Sequence, residues 1–377
     1  MPSGTEAEVI NSSVLRNILN NAEDLEGTEY LTNYIVENNF IFNVGSLKVP
    51  KKHCKNYRLT LDTQKDFKVI SALLNWCSNK GKKYNYNLDD IVEFFTLFPE
   101  YEKMNKSVKL KNQIIKNDTD KLTFISGPCL LESEKLVRLV AKKLINYSKK
   151  NKFNLIFKCS FDKANRSSYK TVRSKISLDK SIEILKNLKK DFKVHLTTDV
   201  HETSQIDQLS DLIDVFQIPA FLCRQTDLIK AAAQTKKIVN VKKGQFLSHK
   251  EVENIILKIE NENNKKIIIT ERGNSFGYNY LINDFKGVYF MKKFGYPIIF
   301  DATHSVQLPG GMGLKSGGAR EYVLPLAKSA ASLRLAGFFV ETHPNPEHAL
   351  SDGPNMMYLH KIPKLLNDIN KINKAAK

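Results

Sequence analysis

Cysteine is scarce in this chain. Its five residues (Cys54, Cys77, Cys129, Cys159 and Cys223) are scattered, odd in number and without a Cys-x-x-Cys pair, which argues against a disulfide framework. Long apolar runs are missing as well, and none approaches the roughly 18 to 20 residues that a membrane span needs. The opening stretch MPSGTEAEVINSSVL has no basic segment followed by an apolar one, so the expectation is a cytoplasmic globular protein with no membrane association. Solenoid repeats and structured low-complexity tracts are also absent. Acidic residues are outnumbered, 40 against 58 Lys and Arg, for a net charge of +18. Such an excess invites a nucleic-acid reading. However, the lysines are mixed with asparagine (KNDTDK, NYSKKNKFN, NENNKKI), spread along the chain and not interleaved with aromatics. A solvated surface and no nucleic-acid partner are expected.

What the chain does have is 42% hydrophobic content over 377 residues, enough for a substantial core. Short apolar runs rich in β-branched residues recur between Leu122 and Thr342: Leu122 to Ser126, Leu155 to Lys158, Val194 to Thr198, Val215 to Ile218, Ile238 to Val241, Ile267 to Ile269, Ile298 to Phe300 and Phe338 to Val340. Amphipathic segments such as SEKLVRLVAKKLINYSKK and SLDKSIEILKNLKKDF separate the early ones. Alternating strands and helices at this spacing predict an α/β fold, a (β/α)8 TIM barrel, over residues 121–377, with chemistry at the C-terminal ends of the strands. Residues 106–120, rich in Lys and Asn, read as a linker. Before them, residues 1–105 form a small α/β appendage, with helices in LRNILNNAEDLEG, TQKDFKVISALLNWC and LDDIVEFFTLFPEYEK and a short strand YRLTLD.

Each predicted strand end is polar. The first leads into Ser-Gly-Pro-Cys129-Leu-Leu-Glu-Ser, the seventh ends Phe-Asp-Ala-Thr-His304, the eighth ends Glu341-Thr-His-Pro, and Asp352 follows shortly after. Taken alone, a Cys such as Cys129 is more often a small buried apolar residue than a ligand or nucleophile. Barrel closure sets the first strand beside the eighth and the eighth beside the seventh, so Cys129, His304, Glu341 and Asp352 can meet. Thiolate, imidazole and carboxylates suit a divalent transition metal, Mn, Fe, Co or Zn. The other reading makes His304 a hydrogen-bonded core or substrate-contacting residue and the carboxylates helix caps. His343 and His348 are rivals for any ligand role.

The second strand leads into Lys158-Cys-Ser-Phe-Asp-Lys163-Ala-Asn165-Arg166-Ser167-Ser168, where fixed charge, a planar donor fork and short hydrogen bonders suit a phosphate and a polar sugar chain. A solvated basic loop is the bland alternative. TTDVHE (His201), QIPAFLCRQTD (Gln217, Arg224), VKKGQ (Lys242, Lys243) and TERGNSFGY (Arg272) complete the predicted mouth. So many convergent cations imply ligands carrying two phosphates, or a phosphate and a carboxylate.

GPCLLES, FKCSFDKANRSS, TTDVHE, FQIPAFLCRQTDL, NVKKGQF, TERGNSFGYN, FDATHSVQLPGG and FVETHPNPEHALSDGPN together resemble the 3-deoxy-D-manno-octulosonate 8-phosphate (Kdo-8-phosphate) synthases, over roughly Leu122 to Leu366. The resemblance implies condensation of phosphoenolpyruvate with arabinose 5-phosphate and water. It implies catalytic roles for Lys163, Asn165 and His201, and substrate contacts from Lys158, Arg166, Ser167, Gln217, Arg224, Lys243 and Arg272. In that family Cys at the position of Cys129 marks metal-dependent members and Asn metal-independent ones, and the family is typically tetrameric. The related 3-deoxy-arabino-heptulosonate 7-phosphate synthases use erythrose 4-phosphate and usually carry a Lys-Pro-Arg-Thr type loop where this chain has Lys163-Ala-Asn-Arg-Ser-Ser, so the expected sugar is arabinose 5-phosphate. Residues 1–105 resemble the C-terminal part of spore-coat-polysaccharide or CMP-Kdo-synthetase-like cytidylyltransferases, with Asp62 where such enzymes place an acidic metal ligand. Their N-terminal nucleotide loop is missing, which implies a noncatalytic fragment. A bifunctional enzyme and a noncatalytic scaffold for sugar-nucleotide enzymes are the other readings.

Overall fold

The computed structural model describes residues 13–16, 50–53, 57, 59, 61, 64–82, 85–98, 101, 106–164, 173–309 and 317–377. They fall into two compact units, residues 1–103 and 104–377.

In the first unit α1 (Gln64–Asn79) and α2 (Leu88–Leu97) carry the helical stripes of the sequence. Val69, Leu73 and Cys77 of α1 pack with Ile91, Phe94 and Phe95 of α2 and with Tyr57, whose ring stacks 4.3 Å from that of Phe95. A reciprocal capping box between Asn87 and Asp90 opens α2. The helix stops at Leu97 rather than running to Lys103, because Pro99 disfavours the helical region for the residue before it. Tyr57, Leu59 and Leu61, the described members of the expected strand, adopt no regular secondary structure. Leu15 and Arg16 are helical, and the rest of the helix expected there lies outside the described residues, as does Asp62.

The second unit is a closed ring of eight parallel strands. They are β3 (Thr123–Gly127), β4 (Asn154–Lys158), β5 (His195–Asp199), β6 (Val215–Ile218), β7 (Ile238–Lys242), β8 (Ile267–Glu271), β9 (Ile298–Asp301) and β10 (Gly337–His343). Each pairs with the next in sequence, and β10 pairs with β3, which closes the ring with Glu341 opposite Gly127. All eight match the expected runs, although all but β4 and β6 extend past the expected end. Outward side chains such as Phe157, Phe216, Val241, Phe300 and Val340 pack under the helices. Inward ones alternate with them, as the two-residue strand period requires. An apolar layer of Ile125, Ile156, Val215, Ile238, Ile268 and Ile299 fills the interior below the polar residues at the C-terminal strand ends.

Residues 106–120 are not a linker. They form a hairpin, β1 (Val108–Leu110) and β2 (Gln113–Ile115), whose Val108, Leu110 and Ile115 pack with Ile125, Ile156, Val215, Ile238, Ile268 and Ile299 of the barrel interior. Lys109, Lys111, Asn112 and Lys116 are exposed at the outer positions and the turn, which hid an alternation only three residues long, while Asn117 is buried and donates to the Tyr296 carbonyl at 2.8 Å. Among the described residues no helix is long and apolar enough to cross a membrane.

Candidate active site

Strand parity decides which polar residues enter the barrel. Lys158, Asp199, Gln217, Asn240, Lys242, Thr270, Arg272, Asp301 and Glu341 share the parity of the inward apolar residues below them, and all are buried. A hydrogen-bonded chain crosses the interior: Thr270 donates to Asn240 at 2.7 Å, Asn240 to Gln217 at 3.2 Å, and Gln217 to Asp199. Asp199 also accepts from Ser160 at 2.5 Å and Lys163 at 3.3 Å, with Lys158 Nζ 3.8 Å away. Burial alone would raise the Asp199 pKa, but Lys163, Lys158 and Lys242 hold it well below the usual carboxylate range.

Lys158 is 1% exposed and spans two walls of the ring, donating to Glu341 at 2.5 Å and to the Cys129 carbonyl at 3.0 Å. Its close seat depends on Gly127, where a Cβ would collide with the Lys158 carbonyl. Burial opposes the charge of Lys158, yet Glu341 and Asp199 raise its pKa well above the ordinary value. At Lys163 burial is likewise outweighed by the anionic groups around it.

Cys129, Glu341 and Asp352 each offer a ligand atom within 4.8 Å of the others. The Cys129 thiol donates to Asp352 at 2.9 Å. Asp352 is held in the left-handed region (φ 55°), which short polar side chains tolerate better than others. Burial, then the charges of Asp352 and Glu341, pushes the Cys129 thiol up to about 12. Glu341 Oε2 is buried without a hydrogen-bond partner among the described residues, and His304 Nε2 lies 3.9 Å from it. Soft and hard donors around one orphaned carboxylate oxygen fit a divalent transition metal. His304 is turned by Asp301, whose Oδ2 lies 2.8 Å from its Nδ1.

On the opposite side Arg272 is 4% exposed and, among the described residues, meets only neutral acceptors by hydrogen bond: Gln245, Gln307 at 2.7 Å and the His304 carbonyl at 3.3 Å. Lys242 Nζ sits 2.6 Å from Asp301 and 3.5 Å from the centre of the Phe339 ring. Among the described residues no carboxylate is hydrogen-bonded to this buried guanidinium, so its charge is available to an anion.

Of the residues expected from sequence, Lys158, Lys163, Gln217, Arg272, Cys129, His304, Glu341 and Asp352 converge. His201 follows β5, half-buried, with Nδ1 buried and without a partner among the described residues; burial lowers its pKa, which favours the neutral ring. Lys243 does not point into the barrel. It has outward parity, lies 3.5 Å from Glu271 and donates to Asn274 and to the Gly244 and Leu247 carbonyls. The lysine that enters is Lys242. Arg224 is exposed beyond β6 and stands outside the buried cluster. Asn165, Arg166, Ser167 and Ser168 lie outside the described residues. His343 accepts from the Asn345 amide at 3.0 Å, and neither it nor His348 joins the Cys129 group. Lys242 is expected at the mouth but not among the substrate contacts, and Asp199 and Asp301 stand in the motifs without a role; counting every second residue along each strand finds all three.

A parallel (β/α)8 ring with buried cations facing a thiol and carboxylate cluster defines a TIM-barrel enzyme acting on an anionic substrate. The chain belongs to the DAHP synthetase I family, which it matches over residues 105–377. It is 47% identical to a 2-dehydro-3-deoxyphosphooctonate aldolase of Rickettsia typhi over 274 residues, 73% of this chain and 99% of that protein. It is 45% identical to proteins of the same description from Brucella abortus and Brucella ovis over 273 residues, 72% of this chain and 98% of each relative.

Proposed function

We propose that the chain condenses phosphoenolpyruvate with D-arabinose 5-phosphate and water to give 3-deoxy-D-manno-octulosonate 8-phosphate and inorganic phosphate. The observation that carries this reading is its similarity, along nearly their whole length, to relatives described as 2-dehydro-3-deoxyphosphooctonate aldolases. The buried mouth supports it with matching chemistry. Lys242 and Arg272 hold the phosphate of phosphoenolpyruvate, while Lys158 and Lys163 face its carboxylate. Asn165, Arg166 and Ser167 take the sugar phosphate and neighbouring hydroxyls, with Gln217 and Arg224 lining the site. Enolpyruvate C3 forms the new carbon–carbon bond to the sugar aldehyde and water adds at C2. The C2–O bond to phosphate then breaks, and the electron pair leaves with inorganic phosphate.

The chain's own residues manage protons and charge. His201, neutral in its half-buried seat, accepts a proton from the entering water at Nδ1. Lys163 stays protonated and donates to the oxygen that gains charge as the aldehyde is attacked. Cys129, His304, Glu341 and Asp352 would hold a divalent metal, Mn, Fe, Co or Zn, as in metal-dependent synthases. When bound, it supplies Lewis acidity to orient and polarise an oxygen or to acidify water. The assembly is a cytoplasmic homotetramer. The N-terminal unit is a noncatalytic cytidylyltransferase-like fragment.

Phosphate release from phosphoenolpyruvate, with arabinose 5-phosphate or erythrose 4-phosphate as partner, tests the reading. Turnover with arabinose 5-phosphate that is lost on chelation and restored by a divalent metal is expected. Preference for erythrose 4-phosphate would reassign the sugar. Turnover that survives chelation would remove the metal from the reaction, and no turnover with either sugar would leave the scaffold reading.

A further inference from the structure

Asp301 has no role in the reaction proposed above, yet it is 0% exposed and stands between the two halves of the site. Its Oδ2 receives Lys242 Nζ at 2.6 Å and faces His304 Nδ1 at 2.8 Å. Its Oδ1 accepts the backbone amide of His304 at 2.9 Å, and its carbonyl accepts the Ser305 hydroxyl at 2.6 Å. Four contacts thus fix both the carboxylate and the turn that carries the imidazole. Lys242 Nζ also lies 3.4 Å from Nδ1, but the carboxylate is nearer and can only accept, so the proton between Asp301 and His304 belongs on Nδ1. The opposite nitrogen, Nε2, is then the one directed at Glu341 Oε2, 3.9 Å away.

We infer that Asp301 is a positioning residue: it holds His304 as the Nδ1–H tautomer with the Nε2 lone pair aimed at the Cys129, Glu341 and Asp352 group, and ties that orientation to Lys242 on the anion side. A neutral amide at 301 could turn its NH2 toward Nδ1 and favour the Nε2–H tautomer, which has no lone pair to offer the group. Because Oδ2 is shared, drawing the Lys242 ammonium toward a bound phosphate leaves more of the carboxylate's charge to His304. Anion binding and the donor strength of Nε2 therefore rise together. The inference rests on the metal reading for its consequence, but not for the tautomer itself.

The experiment uses the full chain, metal-free, with 15N-labelled histidine, the His304 signals being assigned by comparison with His304→Gln. Wild-type protein is expected to show a protonated Nδ1 and a bare Nε2, and Asp301→Asn to lose that pattern. Cobalt(II) affinity, read by competition with a chromophoric chelator, should fall about tenfold to a hundredfold in Asp301→Asn and recover in part in Asp301→Glu. Inorganic phosphate should tighten cobalt binding to wild type and not to Asp301→Asn. A wild-type His304 protonated on Nε2 alone overturns the inference without recourse to any variant. So does an Asp301→Asn protein whose tautomer, cobalt affinity and phosphate response are unchanged. If the wild-type chain binds no cobalt, the metal reading is what fails, and the tautomer measurement still decides the role of Asp301.

Discussion

Lys242 and Lys243 are neighbours in sequence and opposites in space. One ends β7 on the inner face, against Asp301 and Phe339, while the other points outward to Glu271 and Asn274. Neutralising them should therefore have unequal effects. Lys242→Met is expected to lower kcat/KM for phosphoenolpyruvate by about a hundredfold or more, as loss of a charge-assisted contact would. Lys243→Met should cost no more than about tenfold, through displaced loops rather than a lost substrate contact. Steady-state kinetics on the two variants settles the assignment, and equal losses would count against it. In the sequence the pair is one motif, VKKGQ, and nothing local separates its members. The difference comes from the start of β7, since parity counted from Ile238 puts Asn240 and Lys242 inside. The same count picks out Asp199 from TTDVHE and Asp301 from FDATHS. Cys129, Glu341 and Asp352 needed no such count, because thiol and carboxylates at adjacent strand ends are few enough to stand out.

At the scale of elements, all eight barrel strands were legible, because buried parallel strands must be apolar on their outer faces and the run itself marks them. The β1–β2 hairpin was not, since two three-residue strands carry too little alternation to rise above a Lys- and Asn-rich background. Elements are also fastened by charge. Asp214, ahead of β6, accepts from the Leu196 amide of β5 at 2.9 Å and pairs with Lys189 of the helix Leu178–Phe192 at 2.9 Å, with His195 at 3.8 Å. Burial would raise its pKa, but these partners hold it well below the carboxylate range. The stability it lends is therefore complete above the unfolded-chain value of about 4 and drains away as pH falls from there through the depressed folded value. Asp214→Asn should cost roughly 1 kcal/mol at neutral pH, a figure discounted because the carboxylate is partly exposed. The gap to wild type should narrow below pH of about 4. Denaturant midpoints at several pH values measure it, and a gap independent of pH would contradict the assignment.

For the whole molecule, every described residue of the candidate site belongs to the unit of residues 104–377, and the family match begins at residue 105. The barrel unit expressed alone should keep kcat within about threefold of the full chain, since each unit has its own core. A truncated protein that folds by circular dichroism but does not turn over would make the N-terminal unit part of the catalytic assembly. That unit was the least legible part of the chain. The helices Gln64–Asn79 and Leu88–Leu97 announce themselves through their stripes, but the sequence around them offers no constellation from which chemistry can be read.

The thiol of Cys129 and the carboxylate of Asp352 touch across 223 positions of sequence, at the seam where the last strand meets the first. During synthesis the cysteine emerges long before its partner, and at ribosomal rates of about 5–20 residues per second the interval is roughly ten to forty-five seconds. For that time the nascent chain carries a bare sulfhydryl in an open, unfinished sheet, available to oxidants and to stray soft metals. Only completion of the ring shuts it away.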